Sequence, residues 1–473
     1  MEPRPEPKSM VWSFAFPEQD WEQTPPAVQA SVHTLHDEMG PRRHEMHHLQ
    51  KRGESLAAQL SQHSATSSRP PSSDSPSTTP RRRTGFKGSR TGGGKPGHQG
   101  HRQELVAPTT VEELMPESCA CGSGAFGRVR PSSTPQVIAL PRIEMEVSHW
   151  VVHQGQCVAC GRWWKATVPA AHSTGDGPRC RALMGELAGT YGHGRRMGQS
   201  WCASVRGLPL SVGAIQKVLD RVTMAIDPPD TVIAKQARHA PVNDIDEMPW
   251  YGENALEWLW VMASEQAAFS MRHPRRSKEA LCELIDEWAG LLVSDGYGVY
   301  RHWVNARQTC LAHLRHTARG LVARQQPELA ACGAWALGEV QRLDHMAKAP
   351  PTGGEWRAWD ARLCRLIKQY QERSDDAGRF ARRLLREMDS LWVFLSHHGV
   401  EPTNNRGERA LRFGVQWRKH SLGTASAKGN RWVERILSLQ ETCRLRAVST
   451  YPILGDAVSS FFYGQQPNLA CLQ

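Results

Sequence analysis

Residues 61–104 divide this chain before any helix or strand is considered. They are rich in Ser, Pro and Thr, then turn basic and glycine-rich, reading RRRTGFKGSRTGGGKPGHQGHR over 81–102. So few of these side chains are apolar that burial cannot repay the entropy of ordering them. The run therefore predicts a flexible linker, placed at 65–104, with a helical segment over 1–64 before it and every large core after it. Its cations Arg81, Arg82, Arg83, Lys87 and Lys95 are suited to neutralising a phosphate backbone, which the glycines let the main chain approach. A solubilising linker would need the same composition, and both readings stand at this point.

The 473 residues are enough for about two to four domains with at least one sizeable core. The formal net charge is +11 and the pI about 9.2, which favours an anionic partner. The charge is concentrated. Residues 69–102 hold eight Lys/Arg against one Asp, and residues 403–446 hold ten against three Glu, a net +7 in each. Two basic blocks far apart predict two regions of nucleic-acid contact; solvated surface charge competes seriously for the first and less for the second. No apolar run reaches the length of a membrane span, and 258–263 reads as a buried strand. No signal peptide is expected, because the apolar run at 10–16 is brief and acidic residues follow it. The twelve cysteines are mostly single, as in a reduced cytosolic protein.

Before the linker, Val28, Val32, Leu35, Met39, Met46, Leu49, Leu56 and Leu60 recur at spacings of three and four, as a coiled coil requires. Gly40-Pro41 interrupts the pattern, Arg42 falls on its seam and Gly53 weakens it. The expectation is two short helices used for self-association, or equally a single amphipathic hairpin.

After the linker, 105–172 contains Cys119-x-Cys121 and Cys157-x-x-Cys160, with Gly122, Gly124 and Gly161 supplying turns. Two close thiol pairs can hold one structural Zn²⁺ tetrahedrally. Strands at 137–140 and 144–152 would complete a zinc-ribbon-like hairpin, free cysteines in a decayed site being the alternative. Residues 173–235 turn helical. One helix closes at Gly207, Ser211 caps another over 212–222, and the pattern is that of a helix-turn-helix or of any helical hairpin.

From about residue 236 the period changes to two. Strands are expected at 258–264 and 267–272, a helix over 277–288, and a strand at 291–294. Asp246 and Asp295 are then expected at or just past strand ends, where ligand groups gather in α/β sheets and where turn capping is the commoner role. Cys310-x-x-His313 enters another helix. Long helices rich in Arg, Trp and Leu fill 328–397, and PTNNRGERALR follows at 402–412. This last stretch sets Glu408 among Arg406, Arg409 and Arg412. Either it is an ion-pair partner, or it is a metal-binding carboxylate beside cations that grip a polyphosphate.

DEMP (246–249), SDGYGVY (294–300), CLAHLR (310–315) and NNRGERALR (404–412) occur in that order, with SSRPPSSD (67–74), GGGKPGHQGHRQELV (92–106) and the paired cysteines upstream. This ordered set resembles the transposases of the insertion sequence 66 family, over roughly residues 30–455. The resemblance implies a multidomain α+β/α/β chain. Its ribonuclease-H-like catalytic core would occupy 236–446 with a helical insertion at about 316–397, ahead of a tail at 447–473 and behind the zinc-ribbon-like and helix-turn-helix-like domains. It implies a DDE-type transposase whose triad is Asp246, Asp295 and Glu408, with Cys310 and His313 supporting the core. It also implies DNA as partner (element ends and target), a homo-oligomer, accessory transposition proteins, no membrane, and a place at the nucleoid in the bacterial cytoplasm. Three positions depart from the family pattern. Thr403 stands where an Asp usually precedes the Asn pair, the first cysteine pair is CxC, and Asp244 lies two residues before Asp246 on the same strand face.

Three carboxylates brought together repel one another unless cations lie between them. Mg²⁺ or Mn²⁺ takes oxygen ligands and keeps waters that phosphate oxygens can displace. Two such ions about 3.5–4 Å apart would activate the attacking oxygen and stabilise the leaving one. Water would first free a 3′-hydroxyl at the element's end, and that hydroxyl would then attack target DNA. Arg406, Arg409 and Arg412 would position the DNA, Arg409 foremost. The competing class is a zinc-containing DNA-binding protein or transposase relic, which needs no triad. A stand-alone nuclease would keep the triad and have no need to recognise element ends.

Overall fold

A computed structural model of the chain describes residues 18–60, 104–139, 145–169, 172, 175–253, 255–303 and 305–473. Arg81, Arg82, Arg83, Lys87 and Lys95, and with them nearly all of the expected linker, lie outside the described residues. The chain opens with helices α1 (Glu18–Glu22) and α2 (Pro26–Leu60), followed by short strands β1 (Gln154–Gln156) and β2 (Trp163–Lys165). Helices α3 (Pro178–Gly189), α4 (Arg195–Arg206), α5 (Val212–Ala225) and α6 (Asp227–His239) come next. Strands β3 (Val242–Gly252), β4 (Ala255–Ala263) and β5 (Ala268–His273) lead to α7 (Lys278–Ile285), β6 (Leu291–Ser294) and β7 (Arg307–Thr309). Then follow α8 (Leu311–Val322), α9 (Pro327–Met346), α10 (Gly353–Tyr370), α11 (Asp376–Glu387) and α12 (Val393–Ser396). Helix α13 (Asn405–Ser421), β8 (Gly423–Thr424), α14 (Ala427–Leu445) and α15 (Thr450–Tyr463) complete the chain. Among the described residues no helix is long and apolar enough to cross a membrane.

The chain divides into two units, one of residues Met1–Thr78 and Gly290–Asn405, the other of Thr79–Ala289 and Arg406–Gln473. The second unit is built on a mixed sheet. β3, β4 and β5 form an antiparallel meander, and β8 runs parallel to β3 at Tyr251 and Gly252. Met248, Trp250, Leu259 and Val261 of the sheet share one core with Ile215 and Val222 of α5, Trp432 and Ile436 of α14, and Leu454 and Val458 of α15. Residues 173–235 and 447–473, expected as a separate domain and a tail, thus contribute helices to the core of the sheet.

Helix α14 also closes the outer edge of β5. The N–H groups of Ala268, Ser270 and Arg272 donate to Thr442 Oγ1 (3.1 Å), Ser438 Oγ (3.0 Å) and Glu434 Oε1 (2.7 Å). Outward N–H groups recur every ~6.7 Å along a strand, and residues four apart on a helix every ~6 Å, so the two rows match. An edge that would otherwise offer a template for strand addition is covered.

In the first unit β6 and β7 are parallel, Leu292 opposite Arg307 and Ser294 opposite Thr309. Helices α8 to α11 follow. Gly333 lets α9 lie against α8, because a Cβ there would meet Val322 N at 2.6 Å and Ala318 O at 2.7 Å. Thr352 and Glu355 start α10 with a reciprocal capping box.

Three local expectations need correction. Pro41 lies inside one 35-residue helix, so 28–60 is neither two helices nor a hairpin. A helix-interior proline costs about 3 kcal/mol, which helical residues on both sides can outweigh. The described parts of 137–140 and 144–152 are not strands; the hairpin is β1–β2, on either side of Cys157 and Cys160, where the local turn closes it. Asp246 is not at a strand end. β3 continues through Pro249, which lies opposite Trp258 in the β4 register, and the Pro249 carbonyl accepts from Arg418 Nη1 (2.7 Å).

Candidate active site

Alternation along β3 puts Asp244 and Asp246 on one face, opposite Ala263 and Val261 of β4. Their surroundings differ. Asp244 is wholly buried, and its Oδ1 lies 3.3 Å from Arg406 Nη1. Asp246 is half-buried and its Oδ1 accepts the N–H of Glu247 (2.9 Å). Glu247, on the other face, is buried and bonded to Arg276 Nε (2.7 Å).

The Arg406–Asp244 pair also locates the start of α13. This helix begins at Asn405, and Glu408 sits exposed in its first turn. Partial positive charge from free N–H groups favours a carboxylate there. Further along, Gly414 presses on the sheet, its missing Cβ leaving room for Leu259 Cδ2 at 3.0 Å and Met248 Sδ at 3.5 Å. The first turn of α13 is thereby held over the part of β3 that carries Asp246. Arg406, expected as a DNA contact, is half-buried and pairs with the buried carboxylate of Asp244. Arg409 and Arg412 are exposed and make no ion pair among the described residues.

Asp295 belongs to the other unit. It stands one residue past β6, as its strand-end pattern predicts, and its Oδ1 accepts the N–H of Tyr297 (2.7 Å). That bond closes a local turn and leaves Oδ2 with no hydrogen bond among the described residues. Cys310 supports the same region. Its N–H donates to the Ser294 carbonyl (2.9 Å), its buried Sγ accepts the Asn404 N–H (3.2 Å), and Leu311 N–H donates to the Pro402 carbonyl (2.9 Å). The end of β6, the start of α8 and residues 402–404 are thus tied together.

A buried group of charges beside Asp295 had no sequence signal. Glu387 of α11 is fully buried, bonded to Arg307 and to Thr309 Oγ1 (2.6 Å), with Arg301 Nε at 3.9 Å. Burial works to raise its carboxyl pKa, but Arg307 and Thr309 hold it below the usual carboxylate range. Arg383, one turn earlier, lies against Gly296.

The four paired cysteines are all exposed. The two pairs make similar turns. Gly122 N–H donates to the Cys119 carbonyl and Gly161 N–H to the Cys157 carbonyl (both 2.8 Å), and both glycines have positive φ, 83° and 65°. Bonds from Cys121 hold the Cys119 thiol below its usual range, and bonds from Cys160 do the same for Cys157. Each pair is brought together, but among the described residues the four do not form a single ligand group. The helical turn expected at 207–211 is present. Gly207 is left-handed (φ 63°), and Ser211 Oγ accepts the Ala214 N–H (3.1 Å).

Comparison with known proteins places these features in one context. The model of the Transposase IS66 family matches residues 195–431, about half of the chain and the part holding Asp246, Asp295 and Glu408. A second, a family of unknown function (DUF6444), matches residues 22–104. "Uncharacterized protein y4qI" of Sinorhizobium fredii (strain NBRC 101917 / NGR234) is 22% identical over 251 residues, 46% of this chain and 46% of that protein. The chain therefore spans a little under half the length of this curated relative.

Proposed function

Because the chain belongs to the Transposase IS66 family, we propose that it is a DDE-type DNA transposase that binds element ends and catalyses metal-dependent strand cleavage and strand transfer. The observation that carries the reading is that the family match spans the segment in which all three carboxylates lie. The order of elements supports a ribonuclease-H-like core: an antiparallel meander, a helix, then two parallel strands with a helical insertion after them.

Asp246, Asp295 and Glu408 are the proposed ligands of Mg²⁺ or Mn²⁺. Their donors are carboxylate oxygens, the class these cations prefer, and Asp295 keeps one oxygen without a hydrogen bond among the described residues. A bound pair of ions would polarise the phosphodiester and lower the pKa of the attacking water or hydroxyl. The chain's own residues orient the reaction. β3 holds Asp246 rigidly, the Asp295 turn fixes one oxygen and presents the other, and the Arg406–Asp244 pair sets the direction of Glu408. Arg409 and Arg412 supply exposed cations for the DNA backbone, joined by Arg81, Arg82, Arg83, Lys87 and Lys95. Cys119, Cys121, Cys157 and Cys160 are proposed to share a structural Zn²⁺, which requires the two separate pairs to come together around the ion. Self-association, accessory transposition proteins and a place at the bacterial nucleoid belong to the same proposal.

Glu408→Gln tests the reading, because it keeps size and hydrogen bonding and removes the charge. Mg²⁺-dependent cleavage of a DNA end should fall by at least about a hundredfold, with end binding and unfolding temperature near wild type. Cleavage at near wild-type rate would remove Glu408 from the triad and favour a DNA-binding protein without catalysis.

A further inference from the structure

Arg383 has no task in the chemistry above, yet its surroundings are specific. It makes no hydrogen bond or ion pair among the described residues, and its Nε is buried with no partner. The guanidinium lies on Gly296, where an added Cβ would come within 2.5 Å of Cζ and 3.0 Å of Nε. The hydrogen bonds to the nearby Glu387 carboxylate, from Arg307 and Thr309, both fall on Oε2; its Oε1 is buried without a hydrogen bond among the described residues, with Arg301 Nε at 3.9 Å. Burial pulls the Arg383 pKa below its usual range, with the charges of Glu387 and Asp295 acting in the opposite direction.

The local charges do not balance. Arg301, Arg307 and Arg383 stand against Asp295 and Glu387, three cations to two anions, leaving one positive charge. A partly buried cation without a partner is costly to keep. A planar fork of donors with none engaged is suited to an oxyanion, and phosphate is the oxyanion a nucleic-acid substrate brings.

We propose that Arg383 is a substrate-contacting residue that binds a phosphate of the DNA strand beside Asp295, with Gly296 glycine because the guanidinium must lie over it. The assignment rests on the reading of Asp295 as a metal ligand in a transposase. It gives the helical insertion a direct part in holding the substrate.

The test is a cycle between protein and DNA charges, with Ca²⁺ in place of Mg²⁺ so that binding is read without cleavage. Wild type, Arg383→Gln and Arg383→Lys are titrated with a DNA end in which each phosphate near the cleaved bond is replaced in turn by a neutral methylphosphonate. Arg383→Gln should weaken binding to native DNA roughly tenfold. At one position the methylphosphonate should weaken wild type by a similar factor and the Gln variant hardly at all. Arg383→Lys should recover part of the loss. Gly296→Ala, which displaces the guanidinium, should reproduce the Gln phenotype.

The unfolding midpoint of Arg383→Gln should stay level or rise, since an unpartnered charge is removed. Additive losses at every phosphate, no loss of affinity, or a lowered midpoint would each make Arg383 a structural cation and overturn the assignment. If wild type shows neither end binding nor Mg²⁺-dependent cleavage, or Asp295→Asn cleaves normally, the transposase reading fails and takes this assignment with it. If those controls hold and the cycle is additive, only Arg383 loses its role.

Discussion

Arg406 and Asp244 form an ion pair, Nη1 to Oδ1 3.3 Å, in which the aspartate side chain is 1% exposed. The pair separates two aspartates that lie on one strand face two residues apart. Asp244 is buried and holds the start of α13, while Asp246 is half-buried and is the aspartate proposed as the metal ligand.

Asp244→Asn should therefore destabilise the fold by about 1–3 kcal/mol, because Arg406 loses its counter-charge. Its cleavage activity per folded molecule should remain near wild type. Asp246→Asn should do the opposite, unfolding like wild type and losing cleavage. Thermal unfolding and Mg²⁺-dependent cleavage on the same preparations check both. Wild-type stability with lost cleavage in Asp244→Asn would move Asp244 into the catalytic group.

The cysteine turns lead to a metal measurement. Protein purified without chelators should hold about one equivalent of zinc, and Cys157→Ser should reduce it. Closing one site requires the CxC turn and the CxxC turn to meet, so removing the metal should free them from each other. Proteolysis within 105–172 should then speed up, with the unfolding of the sheet unit unchanged. Folded protein without zinc would leave the pairs as free thiols.

Two half-buried acids on α6 and α14 make stability depend on pH. Burial raises Asp230 to about 6 and Glu434 to about 7, the charge of Asp230 adding to the rise at Glu434. Both values exceed the ordinary ones of 3.8 and 4.5, so between roughly pH 4 and 7 the folded state binds more protons than the unfolded state. This contribution to stability is greatest at low pH and is lost as pH rises through the folded values. Glu434→Gln keeps an acceptor for the Arg272 N–H, so it should flatten this slope and stabilise the protein by about 1–2 kcal/mol near pH 8. Urea unfolding near pH 5 and near pH 8 measures it, and an unchanged slope would show that Glu434 titrates normally.

Features set by neighbours in the chain could be read directly. The Gly207 stop and the Ser211 cap are local hydrogen-bonding and φ requirements, and the strand at 291–294 is an apolar run closed by Asp295-Gly296. Asp246, Asp295 and Glu408 could be named because ordered short motifs carry them, each in its own local segment.

What the sequence by itself determined is thus local: element types, caps, the cysteine turns and the order of the acidic motifs. The tertiary structure decided what depends on distant partners. Asp246 reads as a strand-end residue until β4 pairs with β3 through Gly252 and Arg418, 169 positions from Pro249, takes that residue's carbonyl. Arg406 finds a partner outside its own segment, where Asp244 meets it across 162 positions. Arg383 shows no pattern of its own, because a charge becomes costly or useful only when folding removes its water and places other charges beside it.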